Sequence, residues 1–161
     1  MLELSIEQVG EARLRATFDR LVPALSDLRG AWPEVRKKFH EIELRLFLSE
    51  GATGAHGRWR DLSRDYARRK ARRVPGKGIL QYTGELRMSL TGVGDSDVRM
   101  EPLLFEERSA VWYGKYHAFG VGRLPRRRPV DLTERDAYDL AKIIRLHVFR
   151  RVEAVMAGRA A

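Results

Sequence analysis

Apolar residues recur along this chain with two periods, and the change between them marks out the elements. Leu2, Leu4 and Ile6 alternate with Glu3, Ser5 and Glu7, a period of two that predicts an N-terminal arm or edge strand over residues 1–8. The spacing then lengthens: Leu14, Phe18, Leu21, Leu25 and Leu28 recur at three and four residues and share one helical face. Pro23 interrupts that stripe and predicts a kink or restart near Val22, because proline has no N–H to give the helix. Gly30 and Pro33 separate this helix from a second, which carries Val35, Phe39, Ile42 and Leu46 inward. On that second helix Arg36, Lys37, Lys38, Glu41 and Glu43 are expected to stay largely solvated.

Gly51, Gly54 and Gly57 predict a loop, anchored at its far end by Trp59. The helical pattern returns over 61–73 with Leu62, Tyr66 and Ala67 on the inner side, and Pro75, Gly76 and Gly78 end it. Thr83 is the expected N-cap of a short helix over 84–90. After a turn-rich break, 98–100, 103–105 and 110–113 read as strands, with 106–109 as a hairpin connection. Thr133 is expected to cap a long final helix reaching about Met156, with Leu140, Ile143, Ile144, Val148, Val152 and Val155 on its apolar arc. Phe149 and Met156 widen that arc beyond one packing face, which suits contact with a second chain as well as burial in the chain's own core. The expected fold class is α+β: one domain over 1–161, helices packed around a small antiparallel β-sheet, a long C-terminal helix, and a flexible tail at 157–161.

Charge changes this picture. The net charge is +9 and 33% of residues are charged, so the surface attracts nucleic acid, anionic membranes or acidic protein faces. A solvated basic face, balanced by a neighbouring subunit, accounts for the same numbers. There is no cysteine, which excludes disulfides, thiolate catalysis and the usual structural zinc sets. The opening MLELSIEQVG lacks a basic region followed by an apolar one, and no run reaches the roughly 18 apolar residues of a membrane helix. A soluble product of the cytoplasm, with no membrane partner, is expected.

Catalytic patterns are sparse. His40, His56, His117 and His147 show no metal-ligand spacing. His117, among aromatic residues, reads as a hydrogen-bonding core histidine or as a general base. Asp95 and Asp97 lie beside Gly92 and Gly94 and read as a turn, while Glu106 and Glu107 would point to opposite faces of a strand. The stretch 75–78 lacks the spacing of a phosphate loop. No catalytic residue, metal site or cofactor is expected, and the protein is not read as an enzyme.

The basic residues are more organised. Arg64, Arg68, Arg69, Lys70, Arg72 and Arg73 supply a crowded cationic helix surface, and Arg123, Arg126, Arg127 and Arg128 a second cluster in a loop. Both could neutralise phosphates without reading bases, or dock on acidic faces of adjacent subunits.

From Phe47 onward a longer order of residues emerges. Phe47, Glu50 and Gly51 lead to Gly57 and Trp59, then to Leu62, Ser63, Tyr66 and Lys70. Ile79, Leu80, Thr83, Gly84, Leu86 and Ser89 follow, and later Tyr113, His117, Phe119 and Gly120, then Arg128 and Pro129. This order, over residues 45–132, resembles the virion morphogenesis proteins of tailed phages, which include the Mu-like tail completion family. Gly114 and Ala118 depart from the residues usual in that family, and the loop 126–129 is more basic.

The resemblance implies a structural virion protein of the neck that completes the tail and joins it to the head. It implies assembly in the host cytoplasm into a homo-oligomeric ring, often six-fold, around the DNA channel. Connector or portal-side proteins, tail tube or tail terminator proteins and passing genomic DNA would be its neighbours. The edge strand at Leu2, Leu4 and Ile6, and Phe149, Val152 and Met156 on the last helix, are candidates for the subunit interface, since a ring repeats one heterologous contact. The two basic clusters would face DNA or partner proteins. A stand-alone basic module that binds nucleic acid without sequence preference is the alternative.

Overall fold

A computed structural model describes residues 11–158; the predicted arm with Leu2, Leu4 and Ile6 lies outside the described residues, as do 159–161. The described elements are α1 (Glu11–Leu25), α2 (Trp32–Leu48), α3 (Arg64–Arg73), α4 (Glu85–Leu90), β1 (Ser96–Met100), β2 (Phe105–Ser109), α5 (Gly114–Phe119) and α6 (Glu134–Met156). The fold is α+β, with six helices packed against one two-stranded antiparallel sheet.

Helix α2 is the axis of the molecule, because its two halves serve two apolar clusters. At its N-terminal end, Ala31, Trp32 and Val35 are buried against Leu28, Phe105 and the α6 residues Leu140, Ile143 and Ile144. Trp32 Nε1 donates to Glu101 O at 2.7 Å and its ring stacks on Phe105, which ties α2 to the hairpin. Pro33 fits because it stands in the first turn, where the missing N–H has no intrahelical partner to lose. At the other end, Leu46 and Phe47 join Trp59, Ile79, Leu86 and Leu90 in the second cluster.

Four elements depart from the sequence reading. Helix α1 continues through Pro23 to Leu25, so of the expected kink or restart near Val22 the restart does not occur. The left-handed Gly84 (φ 92°) is the residue that starts α4, while Thr83 Oγ1 only approaches Glu85 N at 3.4 Å. The strands are shifted: Met100 pairs with Phe105 and Ser96 with Ser109, residues 101–104 form the turn, and 110–113 lead into α5. Glu106 and Glu107 therefore lie within β2, on opposite faces. The inward one, Glu107, is paired from α2 with Arg36 at 3.1 Å and hydrogen-bonded to His40 at 3.0 Å, which is why β2 lacks the apolar alternation of a buried strand. The fourth departure is Glu43, expected to be solvated and in fact wholly buried.

Helix α6 starts as expected. Thr133 Oγ1 accepts the Asp136 N–H at 3.1 Å, and the Asp136 carboxylate accepts the Thr133 N–H at 3.0 Å, a reciprocal capping box. Asp136 is also bonded by Arg45 of α2 at 2.5 Å, so one carboxylate caps α6 and docks it.

Candidate functional site

Six of the ten residues of α3 are basic, and the helix sorts them into two kinds. Arg64, Arg68, Arg69, Arg72 and Arg73 are exposed, and none forms an ion pair with another described residue. Like charges at i and i+4 (Arg64, Arg68 and Arg72; Arg69 and Arg73) oppose the helix by a few tenths of a kcal/mol per pair, about 0.2–0.5. The face is therefore a solvated cationic surface with no paired counter-charge among the described residues.

Lys70 is the exception. It is only 4% exposed, and its Nζ donates to Gly78 O, tying α3 to the segment before Leu80. Burial lowers its pKa, the nearby Arg127 lowers it further, and Glu50 acts in the opposite direction. The expectation of Lys70 as a free surface cation is thereby corrected: it shares the inner side of α3 with Ala67, so helical geometry turns it inward.

The loop cluster divides in the same way. Arg123 and Arg126 are exposed, with Arg126 Nε donating to Ala118 O at 3.1 Å. Arg127 is 5% exposed; its Nε donates to Arg60 O at 2.8 Å and its second guanidinium nitrogen to Asp61 O at 3.0 Å. Arg128 is half-buried, 3.9 Å from Asp131, and its carbonyl accepts the Trp59 indole N–H at 2.9 Å. Arg127 N also donates to His117 O at 2.8 Å, which folds the loop back onto α5. Arg127 and Arg128 thus brace the backbone, and the four arginines do not form one outward cluster.

Lys70 and Arg127 both line a cleft of about 890 Å³ between α3, the segment 80–83, α5 and the loop 123–127. Tyr66, Leu80, Thr83, Tyr113 and His117 line it too. Leu80 holds a positive φ of 60°, uncommon for a residue with a side chain. Three bonds pin its neighbours: Lys70 to Gly78 O, Ile79 N to Glu50 Oε1 at 2.9 Å, and Gln81 Nε2 to Phe47 O at 3.2 Å. His117 stands edge-on to Tyr113, with ring centroids 6.2 Å apart. Burial, and secondly the charge of Arg127, lower its pKa, so the imidazole is neutral at neutral pH. Its buried Nδ1 has no hydrogen-bond partner among the described residues, so no carboxylate orients it as a base. Among the described residues no group of three or more His, Asp or Glu side chains is placed to hold a metal ion.

On α6, Phe149 and Met156 are exposed and Val152 is half-buried. Sequence reasoning missed Tyr82, Gln81 and Leu124, which also line the cleft, because nothing in their spacing marks them. It also missed Glu43, although Leu46 and Phe47 at three and four residues beyond it put that glutamate on the buried face of α2. No family model, curated protein or solved structure matches this chain.

Proposed function

We propose that the protein is a non-enzymatic assembly component of a tailed-phage virion, acting at the neck to complete the tail and join it to the head. In this reading copies form a closed ring around the DNA channel, six-fold by analogy with the resembled family. The ring assembles in the host cytoplasm and meets connector or portal-side proteins on one side and tail tube or terminator proteins on the other. The observation that carries the reading is convergence. Leu62, Tyr66, Lys70, Leu80, Thr83, Tyr113 and His117, spread over half of the family-like order, line one cleft. The exposed Phe149 and Met156 on α6 suit a repeated subunit contact, and the unpaired arginines of α3 suit a lumen or an acidic partner.

Sedimentation of the purified chain over a range of concentrations tests the reading. It predicts a closed oligomer that Phe149→Asp disperses, and purified tails that capture the wild-type chain. A monomer at every concentration, with no capture by tails or connectors, would overturn it.

The unpaired α3 arginines favour a second reading, a stand-alone module that binds nucleic acid without sequence preference. It predicts duplex binding by the monomer, with a steep salt slope that flattens when Arg68, Arg69, Arg72 and Arg73 become alanine. Unchanged binding by that variant would exclude it.

A further inference from the structure

We infer that the cleft between α3 and α5 receives an extended acidic segment of a partner protein chain. The inference goes beyond the neck reading and does not rest on it. Lys70 and Arg127 lie at the cleft with backbone carbonyls as their hydrogen-bond acceptors, and neither has a carboxylate within ion-pair distance among the described residues; Glu50 favours the Lys70 charge, and Asp61 that of Arg127, without a direct contact. Arg60 and Arg123 add two more cations to the lining. The one acidic lining residue, Asp61, is 83% exposed through its side chain and lies 3.8 Å from Arg58, and its effect on Arg127 is outweighed by burial and by Arg60. A buried cation without a directly paired counter-charge is costly, and an incoming carboxylate offsets that cost.

The rest of the lining selects the kind of anion. Duplex phosphates lie on the outside of a rod and are met by exposed cations such as those of α3, whereas Lys70 and Arg127 are recessed. The walls include Leu80, Leu124 and Pro125, and Leu124 is exposed together with Val121 in the same loop. Aliphatic walls match the side chains of a peptide better than a phosphodiester chain. In an extended peptide successive side chains point to opposite sides, so acidic and apolar residues in alternation would meet both kinds of lining. The volume, about 890 Å³, lies within the range of built ligand clefts. The pinned segment 78–81 makes the site pre-formed, which lowers the cost of ordering it on binding.

The test uses the full chain and a short fluorescent peptide in which glutamate alternates with leucine, followed by anisotropy. Saturable binding is expected, weakened about tenfold or more by Arg123→Glu and by Tyr66→Ala, both at exposed positions that leave the fold intact. Lys70→Met should weaken it as well, with circular dichroism reporting whether that variant folds. Arg68→Ala with Arg69→Ala should leave peptide binding unchanged. A lysine–leucine peptide that binds equally well would overturn the inference, as would glutamate-peptide binding indifferent to Arg123→Glu and Tyr66→Ala. A single-stranded oligonucleotide that displaces the peptide, and whose own binding is lost in those two variants, would make the cleft a nucleic-acid site and overturn it too.

Discussion

Glu50 Oε1 accepts the backbone N–H of Ile79 at 2.9 Å, a bond that joins the end of α2 to the floor of the cleft. The same residue accepts the Trp59 N–H through its own carbonyl at 2.8 Å and receives Arg58 at 3.2 Å. Glu50 and Leu80 both hold positive φ values, 51° and 60°, which residues with side chains ordinarily avoid, and the bond ties Glu50 to the residue just before Leu80. Such strain persists only where the surroundings over-determine it, and here Glu50 does so together with Lys70 and Gln81.

Replacing Glu50 separates its roles. Glu50→Ala removes a charged acceptor from the Ile79 N–H, and a cost of about 1–3 kcal/mol is expected in urea unfolding. Glu50→Gln keeps the oxygen and gives up the pair with Arg58, whose side chain is mostly exposed, together with the attraction for Lys70, so it should cost less than Glu50→Ala, about 1 kcal/mol. Equal losses in the two variants would show that the charge, not the acceptor, holds Ile79.

Glu43 gives the fold a dependence on pH that runs from about 4.5 to about 8. Burial, then repulsion from Asp131 and Asp136, pushes its carboxyl from the ordinary 4.5 up to about 8. Neither oxygen has a hydrogen-bond partner among the described residues. In the unfolded chain the proton leaves near 4.5, while in the fold it stays until about 8. Between those values the folded state holds the extra proton, so stability is fully present below 4.5 and is lost as pH rises to about 8. The slope approaches about 1 kcal/mol per pH unit. Glu43→Gln should flatten it, leaving the variant more stable than wild type at the upper end of that window, as read from urea midpoints. Parallel pH profiles for the two proteins would exclude a protonated Glu43.

How much of this was legible in the chain varies with the physics of each part. The long helix with its Thr133 cap, the Trp59 anchor and the α+β class follow from periodicity and capping chemistry, which act locally. The hairpin was displaced because the inward face of β2 carries Glu107, and its partners Arg36 and His40 lie far away in sequence. The basic clusters were visible as composition. That Lys70 and Arg127 turn inward to backbone carbonyls was not, since a cation's partner depends on which loop folds over it.

Gly51 is held by contact as well as by conformation. Its φ is +88°, and a Cβ placed there would stand 2.5 Å from the Trp59 ring. Gly51→Ala must therefore move the indole that fills the second cluster and donates to Arg128 O. Strained backbone of about 1 kcal/mol or more adds to overpacking of about 1–3 kcal/mol. The expected result is a clear loss of thermal stability with a red-shifted Trp fluorescence. A neutral outcome would mean that Trp59 has another rotamer open to it.

Glu107 sets the acid side of the profile. Its side chain is 2% exposed, and it accepts Ser96 Oγ at 2.8 Å and Arg36 at 3.1 Å, with His40 Nε2 at 3.0 Å. Burial alone would raise its pKa, but the bonds from Arg36, Ser96 and His40 outweigh that and hold it below the ordinary value. A depressed carboxyl contributes stability that is present above the unfolded value of 4.5 and disappears as pH falls. Glu107→Ala should cost about 2–4 kcal/mol at neutral pH, the lower end of a broken buried pair because Arg36 keeps partial access to water. Glu107→Gln should cost less and should make the acid limb of the stability profile shallower, since one proton is no longer taken up on unfolding. Coupling Glu107→Met with Arg36→Met should recover part of the loss, because the arginine is then not left without its counter-charge. Additive losses in that double variant would show that Ser96 and His40, not Arg36, carry the interaction.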